Sequence, residues 1–215
     1  MTEQELISLK EKGWTEFKSG SSDNELISIA SKIGKVLNHP NGQSVFTLKP
    51  KAKNERGTGT FSDKHGFGNF PFHTDTAFLK KPARFILMHS SEPSDCCTTI
   101  ISKKDFWDLL EEKDKLNAER SVYLVKTHKE RFYTSFVFRE NNIEGIKYDP
   151  ACMYPFNASA KEFDQTFQEI LKVIQPKNVL WNGNKTVLID NWKSLHGRSS
   201  AKNDTKRKLK RIYIN

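Results

Sequence analysis

His73 and Asp75 stand two residues apart in the run Phe70-Pro71-Phe72-His73-Thr74-Asp75. A second histidine, His196, lies near the far end of the chain in Asn191-Trp192-Lys193-Ser194-Leu195-His196-Gly197-Arg198. These polar groups interrupt apolar sequence: Phe70, Phe72, Ala77 and Phe78 surround the first pair, and Val187-Leu188-Ile189 leads toward the second histidine. Burying imidazole and carboxylate in such surroundings is costly unless each finds a partner or a metal. On an extended strand, side chains at i and i+2 share a face, so His73 and Asp75 can hold one ion together. The third donor must come from elsewhere in the fold, which therefore has to bring strands from opposite ends of the chain side by side.

The intervening sequence supplies such strands. Thr2 with Glu5 is a capping box for a helix through Leu6, Ile7 and Leu9 that Gly13 stops, and a short strand follows at Trp14 to Phe17. Ser22 with Glu25 opens a second helix with Leu26, Ile29, Ala30, Ile33, Val36 and Leu37 on its apolar face, ended by Pro40. Strands are expected at Val45–Leu48, Arg84–Met88, Arg131–Phe138 and Ile143–Tyr148, the last two joined by a tight Asn141-Asn142 turn. Ser102 with Asp105 begins a helix containing Phe106, Trp107, Leu109 and Leu110. Ser159 with Glu162 begins a longer one with Phe163, Phe167, Ile170, Leu171 and Ile174 on one face, up to Pro176. Three further strands, Asn178–Trp181, Thr186–Asp190 and Arg207–Ile214, close the chain. The segment from Asn54 to Phe70, with Gly57, Gly59, Gly66 and Gly68, has the composition of a mobile loop feeding His73. Many short strands without βαβ alternation imply a mainly β protein with flanking helices, a double-sheet jelly roll of the cupin-like kind. At 215 residues a single domain over 1–215 is expected, with N-terminal helices at about 1–38.

Composition narrows the setting. The acidic, polar N-terminus, the lack of a long apolar run and three cysteines without zinc-type spacing point to a reducing, cytoplasmic environment and away from membranes. The net charge of +9 raises the question of nucleic acid, but the lysines are dispersed, and the dense run from Lys202 to Arg211 lacks interleaved aromatic residues. A solvated, lysine-rich surface is the simpler account.

Two histidines with one carboxylate, leaving coordination positions open, form the donor set of non-haem Fe(II) oxygenases. The other histidines compete poorly. His39 precedes a proline in a turn, His128 sits among charged residues, His89 ends a strand, and His65 lies in the glycine-rich loop within reach of a substrate. Cys96-Cys97 is a poor chelate, because adjacent strand residues point to opposite faces. Arg207 and Arg211, with Leu209 between them, share one face of the last strand, and Lys208 and Lys210 take the other. Inward guanidiniums require an anion, and arginine is suited to holding carboxylates bidentately.

Taken together, His73-Thr74-Asp75, Thr98-Thr99, Asn191-Trp192 with Leu195-His196-Gly197-Arg198, and Arg207-Lys208-Leu209-Lys210-Arg211 resemble the taurine dioxygenase family of Fe(II)/2-oxoglutarate-dependent oxygenases, which is related to clavaminate synthase-like enzymes. The resemblance runs from Trp14 to Ile214. It implies His73, Asp75 and His196 as iron ligands and Arg207 as the partner of the 2-oxoglutarate C5 carboxylate, assisted by Thr99. It further implies Arg211 and Asn69 as substrate contacts. Relatives commonly carry Gly-Gly where this chain has Cys96-Cys97. The implied reaction consumes O2 and hydroxylates an unactivated C–H of a small anionic or amino-acid-like metabolite, giving succinate and CO2. A related halogenase would carry Gly or Ala at position 75, so Asp75 favours hydroxylation; desaturation and ring closure use the same residues. Two other readings stay open on sequence: a nucleic-acid demethylase of the same iron class, and a cupin-like barrel that binds metal or ligand without turnover.

Overall fold

The computed structural model describes residues 1–39, 41–53 and 61–215. Pro40, Gly57 and Gly59, used above as a helix terminator and as loop markers, lie outside the described residues. In chain order the elements are α1 (Glu3–Lys12), β1 (Trp14–Lys18), α2 (Asp23–Ile33), β2 (Val36–Leu37), β3 (Phe46–Leu48), α3 (Phe61–His65), β4 (Phe70–His73), β5 (Phe85–Ser90) and β6 (Pro93–Ser102). Then come α4 (Lys103–Trp107), α5 (Glu112–Arg120), β7 (Tyr123–Lys126), β8 (Arg131–Thr134), β9 (Val137–Glu140), β10 (Ile143–Ile146) and β11 (Met153–Pro155). The chain ends with α6 (Ala158–Val173), β12 (Lys177–Asn182), β13 (Lys185–Asp190), β14 (Ser194–Arg198) and β15 (Leu209–Ile214).

Two antiparallel sheets face each other, as the strand-rich pattern anticipates. The larger has the order β1-β13-β5-β15-β2, with β3 also on β15; the smaller has β12-β6-β14-β4. Side chains alternate across each strand, so each sheet has an inner and an outer face. The inner faces meet in a cluster of Ile86, Met88, Ile100, Val179, Trp181, Val187, Ile189, Leu209 and Tyr213. The outer face of the larger sheet, with Leu87, Leu188, Ile212 and Ile214, is covered by Leu26 and Ala30 of α2. A third cluster packs Phe106, Phe163 and Phe167 of the helices against Tyr123, Phe136, Ile101 and Leu195, outside the smaller sheet. No helix among the described residues is long and apolar enough to cross a membrane.

Several local expectations need correction. The long helix is capped by Asn157 rather than Ser159: Asn157 accepts from Ala160 N–H (2.9 Å) and Val122 N–H (3.0 Å) and donates to the Arg120 carbonyl (2.9 Å). Those ties to the segment joining α5 and β7 fix the helix start two residues earlier than the sequence signal. The expected strand over 131–138 is two strands, and the segment of the glycine-rich stretch nearest His73 contains the short helix α3. The Asn141-Asn142 turn is present, both residues having positive φ (48° and 61°), as a two-residue hairpin requires.

Candidate metal centre

Strand pairing delivers the third donor. β14 runs antiparallel to β4 with His196 directly opposite His73, and the two rings lie 4.5 Å apart. Gly197 makes this approach possible: a Cβ there would sit 2.7 Å from the Phe70 carbonyl oxygen and 2.9 Å from Thr99 Oγ1. Any side chain would push β4, and His73 with it, away from β14.

Asp75 is not on the strand. β4 ends at His73, and Asp75 lies in the turn that follows, so its convergence with His73 comes from the turn rather than from strand alternation. That turn is tied down at several points. Asn191 accepts from the Asp75 N–H (2.9 Å) and donates to the carbonyls of Asp75 (3.0 Å) and Ala83 (2.7 Å). Thr76 takes the left-handed conformation (φ 59°), and its hydroxyl donates to the Asp75 carbonyl and accepts from Ala83 N–H (2.8 Å). Farther along, the buried Lys147 ammonium donates to the carbonyls of Leu79 (2.6 Å) and Lys80 (3.2 Å). Burial pushes that ammonium down to about 8.

The three side chains converge: one donor atom from each of His73, Asp75 and His196 lies within 4.8 Å of the others, and all three residues are buried. His73 Nε2 is 3.5 Å from Asp75 Oδ1, and His196 Nε2 is 3.7 Å from Asp75 Oδ2. His73 Nδ1 donates to the Pro71 carbonyl (2.9 Å), which leaves the Nε2 lone pair facing the site. Burial favours a neutral His73, but its hydrogen bond to and charge interaction with Asp75 outweigh burial and raise its pKa. Burial, with the neighbouring His73, drives His196 down to about 3. Burial alone would raise the Asp75 carboxyl; Arg211 and the two histidines hold it well below the ordinary carboxylate range instead.

Arg207 lies just before β15 and donates from Nη2 to Thr98 Oγ1 (3.3 Å), with its guanidinium 5.9 Å from the Trp181 ring centre. Its Nε is buried without a partner among the described residues. The partnering threonine is Thr98, not Thr99. On β6, Thr98 shares the inner face with Cys96 and Ile100, whereas Thr99 shares the opposite face with Cys97 and Ile101. The same hydroxyl also accepts from Trp181 Nε1 (3.2 Å). Cys96 and Cys97 are both free thiols, buried on opposite faces. Arg211, on the inner face of β15, donates to Asp75 Oδ2 (2.8 Å). Asn69 is exposed in the turn leading into β4. Phe61 of α3 packs 4.4 Å from the His73 ring, and His65, on the same helix, lies 6.0 Å from Phe61.

The family model for taurine catabolism dioxygenase TauD, TfdA family, matches residues 8–213. The chain belongs to the TauD/TfdA family. It is accordingly a 2-oxoglutarate-dependent dioxygenase that uses Fe(II) and O2. No curated protein matches this TauD/TfdA member by sequence. Solved structures share its double-stranded β-helix fold at low identity. An asparagine oxygenase in complex with Fe(II), 2S,3S-3-hydroxyasparagine and succinate superposes with a TM-score of 0.78 at 13% identity, over 98% of this chain and 77% of that one. The non-haem iron oxygenase OrfP in complex with Fe and α-ketoglutaric acid gives 0.76 at 15%, over 99% and 77%. PvcB from Pseudomonas aeruginosa gives 0.73 at 18%, over 99% and 79%.

The residues present fit an iron ion with an anionic cosubstrate. Two imidazole nitrogens and one carboxylate converge in a buried site, and the same barrel holds a buried guanidinium, Arg207, that makes no salt bridge among the described residues. Sequence reasoning missed Thr98 as the arginine's partner, and it gave no role to Thr76, Asn191 or Lys147. The Asn191-Trp192 dipeptide was a visible cue, since a buried amide between two apolar strands must bond something.

Proposed function

We propose that the chain hydroxylates an unactivated C–H of a small, amino-acid-like or otherwise anionic metabolite. In this reading His73, Asp75 and His196 hold Fe(II), Arg207 with Thr98 binds the C5 carboxylate of 2-oxoglutarate, and Arg211 and Asn69 meet the substrate. The observation that carries it is the presence in one barrel of the buried donor triad and of Arg207, a buried cation without a salt bridge among the described residues. Bound iron with 2-oxoglutarate supplies the oxidising power for C–H hydroxylation, with succinate and CO2 as co-products.

The protein's part is binding, orientation and exclusion of water. His73, fixed by its Nδ1 bond to Pro71, presents Nε2, and Asp75 stays ionised throughout the physiological range. Arg207, buried near Trp181, offers a planar donor fork to a carboxylate, and a charge-assisted pair there is poorly screened by solvent. Phe61 covers the His73 ring and limits water on that side. Arg211 retains a buried, unpartnered Nε that suits an anionic group of the substrate. The amino-acid products named with asparagine oxygenase and with OrfP, which was also solved with (3S)-hydroxy-L-Arg, lend support to an amino-acid-like substrate.

Anaerobic titration of the Fe(II) protein with 2-oxoglutarate tests the assignment. A weak visible metal-to-ligand charge-transfer band is expected in wild type, and weakened bands in Asp75→Ala and Arg207→Ala. No band despite bound iron would sink it.

A further inference from the structure

We propose that Arg211, together with Tyr213, is a positioning residue for Asp75, orienting the carboxylate so that it offers the metal one oxygen. This rests on the iron-site assignment above and deepens it. Arg211 Nη1 donates to Asp75 Oδ2 at 2.8 Å, while the other oxygen, Oδ1, faces His73 Nε2 at 3.5 Å. The Tyr213 ring, two residues along on the same inner face of β15, packs against that guanidinium and backs it. The side chain is therefore gripped from the β15 side, and the main chain is separately gripped by Asn191.

The grip is itself rigid. β15 is paired on one side with β5 and on the other with β3, with Arg211 opposite Met88 and Phe46. The guanidinium lies 4.6 Å from the Tyr213 ring centre and 6.0 Å from that of Phe46. His39 packs on both rings and bonds the Arg211 carbonyl through Nε2 at 3.1 Å. An arginine reserved wholly for substrate would have all its donors free for the ligand; this one has already committed Nη1 to a metal ligand. The commitment has a chemical use. A carboxylate free to swing could bind through both oxygens and occupy a coordination position that 2-oxoglutarate or O2 needs. Oδ2 also lies 3.7 Å from His196 Nε2, but its 2.8 Å bond to Arg211 Nη1 occupies it, so Oδ1 is the oxygen left to present. Outer partners of ligating carboxylates act in this way generally.

Co(II) serves as the probe, titrated into the metal-free full chain and followed by its visible absorption and by competition with a chelator. Arg211→Met is expected to raise the Co(II) Kd by about 10–100-fold and to change the band shape, as loss of an outer-shell partner does. Tyr213→Leu, which removes the ring behind the guanidinium, should raise it several-fold, and the exposed Tyr154→Phe should leave it unchanged. Should Arg211→Met fail to fold, Arg211→Lys replaces it, with an intermediate rise expected because a point charge cannot reproduce the guanidinium geometry. Wild-type Co(II) affinity and spectrum in the folded Arg211 variant would overturn the proposal. A wild-type chain that binds no Co(II) would overturn the iron-site assignment beneath it instead.

Discussion

Arg207 and Arg211 flank Leu209 at the start of the last strand, and both point toward the barrel interior, yet their surroundings are opposite. Arg211 is neutralised by Asp75, roofed by Tyr213 and Phe46, and belongs to a closed ion pair. Arg207 bonds only a hydroxyl and lies by an indole and two thiols, with the Asp204 carboxylate acting on it without a salt bridge among the described residues. Two identical side chains at similar depth thus carry different information. A buried cation with a partner is structure already completed, whereas one without a partner marks where an anion is to come.

Removing the partner from the completed pair should have the largest effect. Asp75→Ala takes away a proposed metal ligand and strands Arg211. Co(II) affinity is expected to fall beyond the range seen for outer-shell changes, and the metal-free chain should lose about 3–5 kcal/mol in urea unfolding, the usual cost of leaving one buried charge alone. A metal-free stability equal to wild type would show that Arg211 was never compensated by Asp75. Arg207→Met should do the reverse. The metal-free chain is expected to unfold at the same urea concentration or a higher one, while 2-oxoglutarate binding to the Fe(II) form weakens about 100-fold, equivalent to about 3 kcal/mol of charge-assisted bonding.

The threonine pair sharpens the Arg207 side. Thr98→Val should raise the 2-oxoglutarate Kd about five- to tenfold, corresponding to about 1 kcal/mol for a lost hydrogen bond, with Thr99→Val close to wild type. The reverse order would restore Thr99 as the carboxylate's helper. The smallest effect concerns the Arg211 side. Burial, reinforced by the nearby Arg211 charge, drives His39 down to about 4 from 6.5. Between those values the unfolded chain takes up a proton that the folded chain refuses, so stability falls as pH drops through that window and is flat above it. His39→Gln should remove part of this acid-side loss of Tm in the metal-free protein.

The candidate site was legible because His73 and His196 are polar interruptions in apolar strands and Asp75 follows the first of them in a turn flanked by apolar residues. The barrel followed from the same strands and from the lack of βαβ alternation. What the sequence hid depended on parity and tertiary ties. Thr98 and Thr99 are chemically equal, and only the register of β6, with Thr98 beside Ile100 on the inner face, decides between them. Asn157 and Ser159 are both acceptable caps, and the bonds from Asn157 to Val122 and Arg120 select the earlier. Lys147 carries a charge that composition assigns to the surface, and its two carbonyl partners come from a turn far away in sequence.

Asn191 holds Asp75 entirely through main-chain atoms. The position of residue 75 is therefore indifferent to what side chain grows from it, much as a socket is indifferent to the bulb. Shortening that side chain would leave a vacancy of defined shape, bounded by two imidazoles and a guanidinium, rather than a collapsed turn. Small anions supplied from solution, formate above all, become candidates to fill it, and restored metal binding in Asp75→Gly with added formate would reveal a centre whose acidic ligand is exchangeable.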